Sequence, residues 1–413
     1  MTTSADSSDR STLASLPRNV WVVTATSFLT DVSSEMIFNV LPLFLLNVLG
    51  VKTSVIGLIE GVAETIASLL KIFSGWLSDK MGSRKWLTVL GYGISAVSKP
   101  FLMIAASWEA VLAVRASDRV GKGIRTAPRD ALIADTIDEK HRGLAFGLHR
   151  AGDTAGAMVG LLIALGVVWL TEQNAAVLTG ETFRLLVLIA TVPGILAVIV
   201  LALGARDVRV KNPDAKPPRL SLMALGPNLR HFLLVVVLFT LGNSADAFII
   251  LRAQERGLSV VGVLAMLATF NLIYASLATP LGALSDRIGR RRIILGGWTV
   301  YGILYLGFAL AQAAWHIWVL YALYGIYYAA FEGAAKAFVA DLADPSERGS
   351  AYGMYNAAVG IAALPSSVIA GVLWQGLGAW PGFGPTAPFL FGASMALLAA
   401  VLLLILVRQV RQV

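Results

Sequence analysis

The chain has 413 residues, 57% of them hydrophobic and 14% charged, with a formal net charge of +8 and no cysteine. Soluble domains carry roughly 25% charged residues, so the composition points to a lipid bilayer, and the lack of cysteine excludes disulfides, thiolate metal sites and cysteine nucleophiles. The cations sit mostly in short loops between apolar runs, which argues against nucleic acid as a partner and for membrane topology.

Residues 1–17 are polar and rich in Ser, Thr and Asp, a composition expected to stay disordered, and they lack the pattern of a signal peptide. A first crossing runs from about Asn19 to Asn47, with a kink expected at Pro42. Roughly twenty apolar residues are needed per crossing, and further runs near 54–77, 86–107, 109–133, 142–171 and 182–204 satisfy that length. After a polar linker at 205–227 come six more, near 228–255, 258–283, 292–313, 315–341, 348–377 and 386–407. The expected fold is therefore an all-α membrane protein of twelve transmembrane helices. Its six-helix bundles occupy 18–204 and 228–407, with a tail at 408–413. Lys80, Arg84, Lys85, Lys140, Arg142, Arg206, Arg209, Lys211, Lys216, Arg219, Arg287, Arg290, Arg291, Arg292, Arg408 and Arg411 all fall on one side, against Lys52, Arg184 and Arg256 on the other. The positive-inside rule puts both termini and the linker in the cytoplasm of a bacterial-type plasma membrane.

The halves repeat one another. Gly75-Trp-Leu-Ser-Asp79-Lys-Met-Gly82-Ser-Arg84-Lys85 is echoed 207 residues on by Gly282-Ala-Leu-Ser-Asp286-Arg-Ile-Gly289-Arg290-Arg-Arg292. Ala131 to Asp135 ahead of Arg142-Gly143 matches Ala337 to Asp341 ahead of Arg348-Gly349 at a displacement of 206, and Glu35 falls near Asp246. The pattern G-x-x-[SA]-D-[RK]-x-G-[RS]-[RK]-[RK], found at the same place in both halves, resembles the loop signature of the major facilitator superfamily. The resemblance spans about Asn19 to Arg411. It implies a parallel 6+6 repeat, with the two loops as a latch between the halves on the cytoplasmic side. In that role Asp79 and Asp286 would cap the positive end of a neighbouring helix or pair with an arginine. Gly82 and Gly289 would allow the tight turn. Arg84 and Arg290 serve topology as well.

Ionisable residues inside crossings cost about 2.5–3.5 kcal/mol each on insertion scales and call for an explanation. The first crossing carries Asp31 and Glu35 one turn apart; the second carries Glu60, Glu64 and Lys71 on one face; the third carries Lys99 before Pro100. In the fourth, Arg115, Asp118, Lys122, Arg125 and Arg129 form a stripe about 21 Å long, flanked by Arg119 and Asp130. Such a stripe faces either a water-filled cavity or acidic partners that hold the half together. Arg119-Val-Gly-Lys122-Gly123 resembles the superfamily's fourth-helix motif, whose arginine is implicated in proton transfer, with Lys122 where glutamine is common. Gly147, Gly156 and Gly160 resemble the glycine spacing of the antiporter motif in drug exporters. However, Leu161 replaces its proline, and the spacing is also that of ordinary close packing. In the second half the seventh crossing offers Asn243 and Asp246. The tenth carries Glu332 and Lys336 with Tyr321, Tyr324, Tyr328 and Phe331 as an aromatic stripe that fits a core or a binding wall.

These residues predict a monomeric secondary transporter, not an enzyme, needing no cofactor and no metal. Its partners are protons and a small molecule, preferably an amphipathic or aromatic organic ion moving outward. Glu35 is the first candidate proton carrier, with Asp31, Glu60 and Glu64 as rivals, since burial disfavours the ionised form of a carboxyl group. Uptake of an organic anion or metal chelate, and export of a metal ion, stay open on the same scaffold. The four histidines, His141, His149, His231 and His316, include no pair at metal-ligand spacing.

Overall fold

The computed structural model describes residues 16–138, 141–172, 176–208, 222, 225–343 and 348–407, apart from the side chains at 279, 282, 283, 285–287, 332, 333 and 349. Residues 1–15 of the expected disordered start, most of the linker and the tail lie outside these residues, as do Lys140, Arg209, Lys211, Lys216, Arg219, Arg408 and Arg411 of the topology argument, whereas Leu16, inside the expected disordered stretch, is buried in the core. The first half is built from α1 (Arg18–Phe38), α2 (Leu41–Asn47), α3 (Thr53–Met81), α4 (Lys85–Ser98), α5 (Trp108–Ala134), α6 (Arg142–Glu172) and α7 (Gly180–Gly204). The second half comprises α8 (Pro227–Gly242), α9 (Ala247–Glu255), α10 (Val260–Ile288), α11 (Arg290–Leu310), α12 (Ala314–Leu342), α13 (Arg348–Gln375) and α14 (Ala387–Leu406).

These helices make twelve crossings, because α1–α2 and α8–α9 are each one crossing broken in the middle. The first break, at Asn39 and Val40, comes just ahead of Pro42, whose ring cannot continue the preceding turn. The second runs from Asn243 to Asp246 after Gly242, inside what the sequence reads as one continuous run. The third crossing ends in a 3₁₀ turn at Lys99–Met103, again at a proline, so it stops short of the expected 107. By length and apolar composition alone, eight crossings qualify among the described residues, and neither α3 nor α5 is one of them. Both are made too polar by the charges they carry inward.

Both crossings of the loop repeat end where a glycine takes a left-handed backbone, Gly82 at φ +70° and Gly289 at φ +97°. The loops mark one end of the molecule, called here the loop end; the opposite end is the far end. The halves meet most closely along α3 and α13. A Cβ on Gly57 would stand 2.1 Å from the Ser367 carbonyl oxygen, so only glycine lets these backbones touch. The Thr65 hydroxyl donates to the Gly360 carbonyl at 2.6 Å and the Thr53 amide to Gln375 Oε1 at 2.8 Å along the same seam. At the far end α2 packs on α9, and Gln254 Nε2 donates to the Ala176 carbonyl at 2.8 Å. Within the first half α6 lies against α1, where a Cβ on Gly156 would come 2.4 Å from the Phe28 carbonyl oxygen. The Gly156 spacing is thus accounted for by close packing.

Candidate functional site

A cavity of about 400 Å³ lies between the halves, at the depth of the two helix breaks. A larger hollow of about 900 Å³ between α4, α5 and α7 is lined by apolar and small side chains, Phe101 among them, without a charged group. The central cavity is the one that gathers the chemistry. Among the described residues its lining includes Asp31, Glu35, Glu60, Glu64, Asp118, Arg119, Lys122, Arg125, Asp246, Tyr324 and Tyr328. Arg129 lies one turn beyond Arg125 toward the loop end, outside the lining, where its guanidinium donates to Asp130 at 2.8 Å and to Ser27 at 3.4 Å. The Glu332 side chain is outside the described residues.

The first-half wall is a network of opposed charges. Arg115 donates to Glu60 at 2.8 Å, and Arg119 approaches Asp118 at 4.0 Å. Arg125 turns toward α4, donating to the Ser95 hydroxyl at 2.8 Å and lying 4.3 Å from the Tyr92 ring centre. Asn39, freed at the end of α1, donates to Glu35 Oε2 at 2.7 Å and fixes that carboxylate. Lys99 is buried and donates to the Ser33 and Ser34 hydroxyls at 3.0 and 2.9 Å. Phe38 sits under three cations: Arg115 at 4.1 Å, and Arg119 and Lys99 at 5.8 Å each. Its ring face offers them an attraction that partly offsets their mutual repulsion. By contrast Asp31, Glu64 and Lys122 make no side-chain hydrogen bond or ion pair among the described residues. Phe38 and Asn39 were not among the sequence candidates. The signal was present, since they stand three and four positions after Glu35 on the same helical face.

In the second half, Tyr324 and Tyr328 border the cavity and an aromatic stack lies behind them. Tyr301 and Tyr305 stack at 4.0 Å, Phe270 and Tyr321 at 4.8 Å, and Tyr324 meets Tyr328 edge-on at 5.6 Å. The Tyr301 hydroxyl donates to Asn243 Oδ1 at 3.0 Å, anchoring the unwound backbone between α8 and α9. Irregular backbone at membrane depth persists only where protein or a wet cavity satisfies it, and Asn243, Ser244, Ala245 and Asp246 all border the cavity. Asp246 is the one charged residue this half contributes to the described lining, beside the Tyr324 hydroxyl.

At the loop end, Arg84 donates to Asp79, to the Ser78 hydroxyl at 3.0 Å and to Asp135 at 3.3 Å. Arg290, 206 positions on, donates to Asp341 at 2.5 Å and to the Ala337 carbonyl at 3.1 Å, so the repeat extends to the side-chain pairing. The positive end of α4 is capped not by Asp79 but by Asp207 from the linker. Asp207 accepts from the Arg84 and Lys85 amides at 3.1 and 3.0 Å and from the Ser83 hydroxyl at 2.5 Å. Gly75 packs 3.4 Å from the Ala127 side chain of α5 when given a Cβ. The side chain of Asp286 and the surroundings of Gly282 are outside the described residues. Among the described residues no group of three or more His, Asp or Glu is disposed to hold a metal ion.

Two six-helix halves enclosing a polar cavity, with a broken helix from each half at its edge, define a multi-pass membrane transporter. The profile of the Major Facilitator Superfamily matches residues 23–268 and 232–412. The chain belongs to that superfamily. It is 38% identical over 395 residues to an uncharacterized MFS-type transporter of Methanocaldococcus jannaschii, covering 94% of this chain and 95% of that one. It is 26% identical over 319 residues to the multidrug resistance protein MdtG of Serratia proteamaculans, covering 73% and 74%. Among solved structures, the fold is similar to the nucleoside transporter NupG, with TM-score 0.77 and 14% identity over 94% of this chain and 100% of that one. It is also similar to a bacterial homologue of the human lysosomal transporter Spinster, in an inward-facing and occupied conformation, with TM-score 0.71 and 18% identity over 94% of both chains.

Proposed function

We propose that this protein is a monomeric secondary transporter that works by alternating access and exchanges protons for an amphipathic organic molecule moving outward. The observation that carries the reading is the charge balance of the cavity. Six carboxyl groups, Asp31, Glu35, Glu60, Glu64, Asp118 and Asp246, face four cations, Arg115, Arg119, Lys122 and Arg125, in the described lining. Two carboxylates in excess require protons or a cationic substrate as counter-charge, and a group that alternates between the two is what exchange needs. Glu60 is committed to Arg115 and Asp118 to Arg119. Glu35, held by the neutral amide of Asn39, and the unbonded Asp31 and Glu64 are the candidate proton carriers. The aromatic wall suits the apolar body of the substrate. Likeness to a multidrug resistance protein supports the outward direction, and the distribution of cations supports a plasma membrane with cytoplasmic termini.

The second reading is uptake of an organic anion. It rests on Lys122, an ammonium at the cavity with no bonded partner among the described residues, and on a 26% identical relative in Cupriavidus pinatubonensis named a probable 4-methylmuconolactone transporter. Inverted membrane vesicles with an acidic lumen and a pH dye distinguish the two. Organic cations, organic anions and metal salts are added singly to wild type and Glu35→Gln. The proposal expects an organic cation or amphiphile to discharge the gradient in wild type only. Discharge by none of them removes proton-driven export, and accumulation of an organic anion in right-side-out vesicles would establish uptake instead.

A further inference from the structure

The carboxylates of the cavity are not equivalent. Those of the first half lie among guanidinium and ammonium groups, whereas Asp246 has no basic side chain acting on it among the described residues. It stands where α8 and α9 are separated by unwound backbone, and the Tyr324 hydroxyl hydrogen-bonds to it. It opens α9 without capping it, since its side chain accepts no amide hydrogen there. A carboxylate left at membrane depth without a counter-ion is costly, and its hydrogen-bond partner among the described residues, the Tyr324 hydroxyl, carries no charge. What surrounds it instead is aromatic. Tyr324 borders the cavity with it, edge-on to Tyr328 at 5.6 Å, and Tyr301 and Tyr305 lie 6.0 and 6.4 Å behind Tyr324.

A carboxylate beside tyrosine rings at the edge of a cavity is the chemistry that selects an organic ammonium group. The charge supplies the long-range attraction, and the rings accept the apolar substituents and add a cation–π contribution that a hydrated metal ion or a bare proton does not use. Phe38 on the opposite wall is no rival for such a group, because its ring already serves Arg115, Arg119 and Lys99. The same cations repel a second positive charge from that ring. We propose that Asp246, with the rings of Tyr324 and Tyr328, is the seat for an alkylated ammonium group on the transported molecule, while the first half handles the proton. This deepens the export reading and rests on it only for the substrate's direction of travel.

The test is equilibrium binding without any gradient, to purified full-length protein in nanodiscs, using benzyltrimethylammonium and its neutral carbon isostere neopentylbenzene. Wild type is expected to prefer the cation by about tenfold or more. Asp246→Asn should remove that preference while binding of the neutral isostere is unchanged. Asp246→Glu should restore the preference in part, and Tyr324→Leu should weaken the cation about three- to tenfold. Unchanged isostere binding and an unchanged melting temperature identify variants that still fold. Equal binding of cation and isostere to wild type, or a preference that survives in Asp246→Asn, overturns the proposal. So does an Asp246→Asn variant that binds the cation normally but has lost gradient discharge, because Asp246 is then a proton site. Failure of the vesicle assay with intact cation selectivity would remove proton exchange and leave this seat standing.

Discussion

The two halves share a plan to the level of single side chains, yet they line the cavity with opposite chemistry. Arg84 with Asp135 and Arg290 with Asp341 are the same ion pair at a displacement of 206 residues, each within its own half. Both halves break a helix at cavity depth, at Asn39–Val40 and at Asn243–Asp246. From there they diverge. The first half fills its inner faces with ion pairs, and the second with stacked tyrosines anchored through one amide. Duplication explains the frame, and it leaves each half free to specialise, because ion pairs at the loop end constrain the inner faces only through helix direction. A wall of paired charges can hold and pass protons; a wall of rings with one carboxylate that lacks a counter-ion can hold an organic cation.

The largest effect is expected where the two walls are joined. Gly57→Leu should prevent assembly of the halves, since even a Cβ would stand 2.1 Å from the Ser367 carbonyl oxygen. Size-exclusion and expression analysis should show loss of folded protein, and a normal monodisperse peak would contradict the seam. Next, Arg115→Met leaves the buried Glu60 carboxylate uncompensated, at a cost of about 3–5 kcal/mol. The double variant Arg115→Met/Glu60→Met should recover most of it in thermal unfolding. Equal losses in the single and double variants would mean that the first-half wall is not held by this pair. In the second half, Tyr301→Phe removes the anchor of the broken helix to Asn243 and should cost about 1 kcal/mol. A cost as large as that of Arg115→Met would erase the contrast between the walls.

The smallest effects belong to the loop-end ion pairs. Their partners are part-exposed, so Arg290→Gln should change stability by less than about 1 kcal/mol. Asp79→Asn should leave substrate binding intact and shift the balance between the two access states, read as a changed rate of cysteine labelling at an engineered loop-end position. An unaltered labelling rate would assign the Asp79–Arg84 pair to topology alone.

Much of this plan was legible in the chain because membrane helices announce themselves. Long apolar runs separated by short basic loops placed the crossings to within a few residues. Charges at helical spacing on α3 and α5 had to face inward, since hydrocarbon would not accept them. The break at Asn243–Asp246 was not read, because Gly242 and Asn243 stand in an apolar run that looks continuous, and contacts from distant tyrosines, Tyr301 on Asn243 and Tyr324 on Asp246, support the unwound form. Asp207 was missed for a different reason. A cap contributed from a linker to a helix more than a hundred residues earlier leaves no local pattern. The touching backbones of α3 and α13 likewise follow from glycines that, seen alone, are ordinary in a membrane helix. Phe38 and Asn39 were readable from their spacing to Glu35, but neither carries a charge to draw attention to it.

The division of labour between the walls is tested most directly by comparing two modes of transport in proteoliposomes of Glu35→Gln. One mode is gradient-driven accumulation of labelled benzyltrimethylammonium, and the other is its one-for-one exchange with no gradient. The account predicts that exchange persists near the wild-type rate while gradient-driven accumulation is lost. Loss of both together, or retention of both, would contradict the separation of a proton-handling first half from a cation-holding second half.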